Sequence, residues 1–384
     1  MTDVLHESPE DAAFRAEARA WLAAHAPERL PTADEPEYVS AAKAWQAQLA
    51  DNGWGAITWP VQHGGRGGTS GQWGIFIQEQ QALGAFAGLF AIGLAMAGPT
   101  VIAHGTAEQQ QRYLPPMLRG DEVWCQLFSE PGAGSDLAGL SCRAVLDGDE
   151  YVVNGQKVWT SAAHHSDWGI LLVRTDPDQP KHRGITYLLL DMHSAGIEVR
   201  PLRQMTGDAH FNEVFLTDVR VPAANVLGDV NGGWGVAMTT LANERAFMGG
   251  AGPGRTFDEL LELARRHGRT GEAVVRQDLA AAYVRFQLVR YLGTRAKTAP
   301  EVGMLMKLFY AGHLKQLGDL AMALQGPAGL VADGAWQQQF LSAPSIRIAG
   351  GSDEIQRNII GERVLGLPPD VRVDKQVPFR DLSR

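Results

Sequence analysis

Between positions 128 and 136 the chain reads Phe128-Ser129-Glu130-Pro131-Gly132-Ala133-Gly134-Ser135-Asp136. Two hydroxyls, two carboxylates, a proline and two glycines fall within nine residues. Glycine has no Cβ to hold a ligand away, so such a loop brings backbone N–H groups and small hydroxyls close to a flat polar ligand. The same composition suits a plain surface turn. What is specific here is the order. The loop follows Val123-Trp124-Cys125-Gln126-Leu127, an apolar run of β character, so it sits where a strand breaks.

The elements that must position this loop change character along the chain. Ser8-Pro9-Glu10-Asp11 is a helix start, and Phe14, Ala18, Trp21 and Leu22 then share one face, which predicts a helix over 9–26. The stretch 36–51 repeats the pattern with Tyr38, Ala41, Trp45 and Leu49 and stops at Asn52-Gly53. The glycine-rich segment from Trp54 to Gly68 lacks the lysine and hydroxyl that follow a phosphate loop, and reads as structural. Helices over 71–84, 86–103 and 106–119 follow, the last opened by a capping box at Thr106-Ala107-Glu108-Gln109. At Asp121 the apolar period shortens from about 3.6 to about 2, in runs broken at Asp147-Gly148-Asp149, Asn154-Gly155 and Asp191-Met192-His193. The first break is hairpin chemistry. From Gly235 the helical period returns. The expected domains are therefore 1–122 helical, 123–228 β, and 229–384 helical.

A chain of 384 residues exceeds one ordinary domain, and 45% apolar with 20% charged residues is enough to fill a core and exclude global disorder. The formal charge of −9 argues against a nucleic-acid partner, which calls for a basic face. Two cysteines, Cys125 and Cys142, cannot build a disulfide framework or a zinc site. They read as reduced, buried thiols, which fits a cytoplasmic compartment, and no metal is expected. Asp3, Glu7, Glu10 and Asp11 precede any apolar run, unlike a secretory or transit peptide. Residues 83–102 have the length of a membrane span, but their small residues and Pro99 favour buried helical structure instead.

The order Ser129-Glu130-Pro131-Gly132-Ala133-Gly134-Ser135-Asp136 is similar to the first signature of the acyl-CoA dehydrogenase flavoprotein family. A second match lies at Asp353-Glu354-Ile355-Gln356-Arg357-Asn358-Ile359-Ile360, followed by Arg363-Val364-Leu365-Gly366-Leu367-Pro368. The two keep the family's order, and the resemblance covers nearly the whole chain. It implies a multidomain α+β fold: an N-terminal helical domain, a β-barrel-like middle domain and a C-terminal four-helix bundle. It also implies FAD, an acyl-CoA substrate oxidised to the trans-2-enoyl-CoA as in β-oxidation, and an electron-transfer flavoprotein as acceptor. Under the resemblance Phe128 and Ser129 meet the pyrimidine edge of FAD, while Gly134 and Ser135 approach the cofactor and the substrate's pantetheine arm. Trp159-Thr160-Ser161 takes the family's tryptophan-x-hydroxyl place beside the flavin's central nitrogen. Ser352 and Glu354 belong to the same cofactor site, and Arg245 joins Ser135 toward substrate.

Removing hydrogens from the α and β carbons of a thioester needs a carboxylate to take the α proton, with its pKa raised by an apolar pocket. In many family members a glutamate directly before a Gly-Thr or Gly-Ser pair does this. The matching residue here is Gly350, in Ile348-Ala349-Gly350-Gly351-Ser352. The family's second placement, a glutamate directly before an arginine on an earlier helix, is met by Asn243-Glu244-Arg245, with Leu241, Phe247 and Met248 nearby. A Glu-Arg pair on a helix is ordinarily a solvated face. The motif position and the missing carboxylate at Gly350 make Glu244 the expected base, a placement that accompanies bulky, branched or ring-bearing acyl groups.

Family homotetramers complete each FAD site with a neighbour's Arg-x-x-Phe-Gly and Gln-x-x-Gly-Gly-x-Gly segments. Here Arg265-Arg266-His267-Gly268-Arg269-Thr270-Gly271 and Ala323-Leu324-Gln325-Gly326-Pro327-Ala328-Gly329 depart from both. Two assemblies follow. One is an α2β2 complex in which a related chain supplies the missing groups and this is the base-bearing α chain. The other is a homotetramer in which Arg269 or Arg276 replaces the arginine. Two other activities share the fold, a flavin-dependent monooxygenase and an FAD-scaffolding subunit without turnover. Glu244 counts against both, as the intact Ser-Glu-Pro-Gly run does against the first and the acidic charge against a nucleic-acid-associated relative.

Overall fold

The computed structural model describes residues 8–32, 35–250, 255–296, 299–331, 334–372 and 374–382, with the backbone alone at 246, 248–250, 300 and 301. Asp3, Glu7 and the Met248 side chain lie outside these described residues. Two compact units form: one comprises the chain as far as Leu202 with Ala209–Gly252 and Arg372–Arg384, the other Arg203–Asp208 with Pro253–Val371.

In the first unit α1 (Pro9–His25) is capped by Ser8, whose hydroxyl accepts the Asp11 N–H at 3.0 Å, and buries Phe14, Ala18 and Leu22. α2 (Tyr38–Asp51) and α3 (Ser70–Ala82) close the same core, where the Trp54 and Phe76 rings stack at 5.0 Å. The segment 86–103 is not the one helix its periodicity predicts. It forms a short 3-10 turn at Gly88–Phe90, a π turn at Gly93–Ala97, and only then α4 (Gly98–His104). Two causes combine. Pro99 has no N–H to return to the preceding turn, and the Trp59 indole donates to the Leu94 carbonyl at 2.7 Å, taking that acceptor out of the helical ladder. The Gly98 N–H then bonds Gly93 instead, five residues back. α5 (Ala107–Arg119) opens with the expected capping box, Thr106 and Gln109 bonding each other's backbone.

Seven strands make one curled sheet: β1 (Trp124–Leu127), β2 (Arg143–Asp147), β3 (Glu150–Ser161), β4 (Trp168–Arg174), β5 (Ile185–Asp191), β6 (Ile197–Leu202) and β7 (Phe211–Pro222). β4 pairs antiparallel with β5 and parallel with β1 and, at its end, with β2. The order continues β2-β3-β7-β6, all antiparallel. The Gly148-Asp149 turn joins β2 to β3 with Gly148 at φ +66°, as hairpin chemistry requires. Asn154-Gly155 is not a break: β3 runs through it as a bulge against β7. β4 and β5 are buried on both faces. Ile170, Leu172, Tyr187 and Leu189 pack toward the helices, while Leu171, Val173, Leu188 and Leu190 fill the curl of the sheet. That double burial explains their continuous apolar runs. Both cysteines are buried free thiols, and burial pushes Cys125 up to about 12 and Cys142 up to about 11.

α6 (Gly233–Gly250) belongs to this first unit and is locked to it by buried hydroxyls, Thr240 lying 3.0 Å from both Thr100 of α4 and Tyr187 of β5. The second unit holds α7 (Phe257–Arg266), α8 (Ala273–Ala296), α9 (Pro300–Gln325), α10 (Ala335–Ile346) and α11 (Asp353–Ile359). α7 to α10 share one apolar core built on Leu260, Leu263, Leu279, Phe286, Leu317 and Trp336. Among the described residues no helix is long and apolar enough to cross a membrane.

Candidate active site

The 128–136 loop leaves β1 and is pinned by a buried ion pair. Lys157 of β3, fully buried, donates to the Glu130 carboxylate at 2.8 Å and to the Phe128 carbonyl at 3.1 Å. The same carboxylate accepts the backbone N–H groups of Ser141 at 2.7 Å and Cys142 at 2.9 Å and the Ser141 hydroxyl at 3.0 Å. Burial by itself would raise the Glu130 pKa, but the Lys157 charge and these donors outweigh it and hold the carboxyl below its ordinary value. A tight turn follows, with Glu130 and Ala133 exchanging both backbone hydrogen bonds at 3.0 Å. At the far end Lys181 grips Asp136 at 2.8 Å and Asp374 at 2.7 Å.

With both ends fixed, the loop presents its middle. Among the described hydrogen bonds Ser129 uses only its carbonyl, which accepts the Val158 N–H at 2.9 Å, so its N–H and hydroxyl remain uncommitted donors. Gly134 and Ser135 are exposed, and a Cβ built on Gly132 or Gly134 would meet nothing within 4 Å. Across on β3, Trp159 is 60% exposed and held at φ +60° inside a second bulge. That conformation is costly for an aromatic residue and sits, as such strain often does, where a side chain is being aimed. Thr160 beside it is fully buried with an Oγ1 that has no partner among the described residues, and Ser161 is half-buried. An exposed indole plane, open space over two glycines and uncommitted donors fit a planar ring with polar edges, as a flavin is.

Glu244 lies on α6, and α6 and β1 bring it to Gln126: the Gln126 Nε2 donates to its Oε2 at 3.3 Å. Gln126 stands two residues before Phe128, so the carboxylate reaches the strand that carries the loop. Burial pushes the Glu244 pKa up, against smaller downward effects of the Gln126 hydrogen bond and the Arg245 charge. Leu241 borders the apolar core and Phe247 packs on Trp73 at 5.0 Å, which supplies the apolar surroundings; Arg245 is exposed. An aromatic-lined cavity beside Phe247 measures about 40 Å³, a packing void rather than a substrate pocket.

In the second unit Ser352 caps α11, its hydroxyl accepting the Ile355 N–H at 3.3 Å, and Glu354 is exposed with Arg357 at 3.6 Å. Gly350 has φ +64°, a backbone state that a glutamate adopts only with strain. The two departing segments meet: Arg269 donates to the Ala323 carbonyl at 2.6 Å and forks onto Glu272 with both bonds at 2.7 Å. Sequence reasoning missed Gln126 and the partner of Lys157. Gln126 did leave a signal, a polar residue inside an apolar strand just ahead of the loop.

Profiles of the acyl-CoA dehydrogenase N-terminal, middle and C-terminal domains match residues 8–121, 125–219 and 231–365 in that order. The chain is 40% identical to acyl-CoA dehydrogenase IpdE1 of Mycolicibacterium smegmatis over 94% of its length and 98% of that protein's. Among solved structures it is similar to the Tcur3481-Tcur3483 steroid ACAD, with TM-score 0.83 and 28% identity over 96% of this chain and 100% of that one. It is also similar to the ChsE4-ChsE5 complex of Mycobacterium tuberculosis, with TM-score 0.79 and 29% identity over 96% and 100%. Matched through all three domains, and with the signature loop, its lysine anchor and a shielded glutamate built into one unit, this chain is an oxidoreductase of the acyl-CoA dehydrogenase family.

Proposed function

We propose that this protein oxidises a bulky, ring-bearing acyl-CoA thioester at its α and β carbons, with Glu244 as the base. The observation that carries this reading is the hydrogen bond that joins Glu244 to the strand leading into Phe128 and Ser129. The family is a flavoprotein family, and FAD, when bound, supplies the acceptor for the hydride that leaves the β carbon. Ser129 offers it an N–H and a hydroxyl, Trp159 an indole face and Ser161 a hydroxyl; Phe128, Gly134, Ser352 and Glu354 complete the proposed cofactor set, and Ser135 and Arg245 serve the substrate. Glu244 takes the α proton; the electron pair of that C–H bond becomes the second carbon–carbon bond as the β hydrogen departs, leaving the trans-2-enoyl thioester. Burial suits Glu244 to this step, because a carboxylate with a raised pKa holds a proton more readily than one in water. Similarity to a steroid ACAD supports a ring-bearing acyl group.

The protein works as the α chain of an α2β2 assembly and passes its electrons to an electron-transfer flavoprotein. Two observations support the second chain: Arg269 is already neutralised by Glu272, and the two similar solved structures are each named for a pair of components. The test is Glu244→Gln in the flavin-loaded assembly. It keeps the visible spectrum and slows substrate bleaching by about 10²–10⁴-fold, the usual weight of a general base. Unchanged bleaching would remove Glu244 from the mechanism.

A further inference from the structure

Gln126 is a polar side chain between two fully buried neighbours, Cys125 and Leu127, on a strand held in parallel register by β4. Strand alternation turns it away from the core that those neighbours enter and toward α6. Its Nε2 reaches Glu244, but its Oε1 is buried and has no partner among the described residues. A buried amide that uses only its donor half leaves a costly gap unless the acceptor half has a use.

Few other groups compete for Glu244. On α6 the charged neighbour is Arg245. From the elements packed against α6, His104 of α4 is engaged with Thr239 at 2.8 Å, Tyr187 of β5 with Thr240, and Glu79 of α3 with Arg15 and Arg19. The 93–97 turn carries no titratable residue. Of β1, therefore, it is Gln126 that answers the charge on Glu244.

We propose, resting on Glu244 as the base, that Gln126 is its positioning residue and serves both of its protonation states. Before proton transfer Nε2–H donates to the carboxylate. When the α C–H bond breaks, its proton forms an O–H bond on Glu244, and that O–H needs an acceptor. A half-turn of the Gln126 amide exchanges nitrogen for oxygen without changing the side chain's shape and supplies the acceptor. A lysine here would hold the carboxylate too firmly to accept a proton, and a leucine would serve neither state.

The test compares Gln126→Met, which keeps length and loses both functions, with Gln126→Asn, which keeps the amide but withdraws it by one methylene. The ionisation of Glu244 is followed by pH-difference infrared spectroscopy, its carboxyl band identified by its absence in Glu244→Gln. Gln126→Met raises the midpoint by about one pH unit, a tenfold change set by the excess of the charge-assisted hydrogen bond lost from the carboxylate over the neutral one lost from the protonated form, and the acid limb of kcat/KM moves with it. KM stays near the parent value, and kcat remains lowered above the midpoint because the protonated form has lost its acceptor. Gln126→Asn shifts in the same direction by less, and is read alone should the methionine variant fail to fold. A folded Gln126 variant with an unchanged midpoint, while Glu244→Gln is inactive, overturns this proposal and spares the base; full turnover in Glu244→Gln overturns both.

Discussion

Lys157 carries its ammonium fully out of water, and what answers it there is the Glu130 carboxylate and the Phe128 carbonyl. Glu130 stands in the middle of the signature loop and could be mistaken for an acid-base residue. Its role is mechanical, because four donors occupy its oxygens and tie β3 and the Ser141-Cys142 backbone to the loop. Breaking one side of a buried pair strands the other charge, so Glu130→Gln should cost about 3–5 kcal/mol in urea unfolding at pH 7. Adding Lys157→Met to that variant should recover part of the loss, because the stranded charge goes with it. The pH dependence has a defined sign. The folded-state pKa of Glu130 lies below its ordinary 4.5, so the pair's contribution is present above that value and is lost as pH falls through the depressed one. As pH falls below that depressed value, the gap between parent and Glu130→Gln should narrow. Glu244 is perturbed the opposite way, and the contrast separates the two: one carboxylate is satisfied by four donors, and the other, pushed up by burial, is the one proposed above as the base.

Local sequence and distant contact part company along β3. Asn154-Gly155 carries the dipeptide of a tight turn and reads as one, yet the strand continues because Gly155 lies against the Cys142 backbone. A Cβ there would stand 2.7 Å from the Cys142 Cα and 2.6 Å from its Sγ. Asn154 meanwhile bonds Asp218 of β7 twice, at 2.9 and 3.0 Å, and fills the bulge. Gly155→Ala should therefore cost about 1–3 kcal/mol by overpacking, read as a shift in urea midpoint. Trimming the partner to Cys142→Ala should not restore it, since the Cys142 Cα remains in place. The 86–103 segment shows the same limit. Pro99 is visible in the sequence, but the claim of Trp59 on the Leu94 carbonyl is a contact across 35 positions. Helix periods, the capping box at Thr106 and the strand-to-loop break at Leu127 were legible because each depends on neighbours in the chain. Gln126 against Glu244 and Lys157 under Glu130 were not, because no local pattern states which strand or helix will face which.

For the whole molecule, the assembly proposed above lets a second chain complete the cofactor site. α8 is 24 residues long and leaves Val274, Val284, Leu288 and Tyr291 exposed, by 72%, 54%, 42% and 40%. Val284, Leu288 and Tyr291 follow one another at the four- and three-residue spacing of a helix seam, an apolar stripe of the kind that marks a contact with another helix, and Val274 adds a further exposed apolar side chain near the start of the helix. One loop away, the segment in which family homotetramers place the cofactor-binding arginine has Arg269 forked onto Glu272. Both features agree with the proposed α2β2 assembly, in which a related partner carries the reciprocal cofactor groups. Expressed alone, this protein should therefore elute pale, with well under one flavin per chain. Co-expressed with a relative holding intact Arg-x-x-Phe-Gly and Gln-x-x-Gly-Gly-x-Gly segments, it should form a yellow α2β2 complex, seen by light scattering and the flavin-to-protein absorbance ratio. Leu288→Lys, which sets a charge on the stripe, should lower both the assembly mass and the flavin content. A yellow homotetramer from the single chain would instead assign the missing arginine to this chain's own Arg276, and Arg276→Ala would then bleach it.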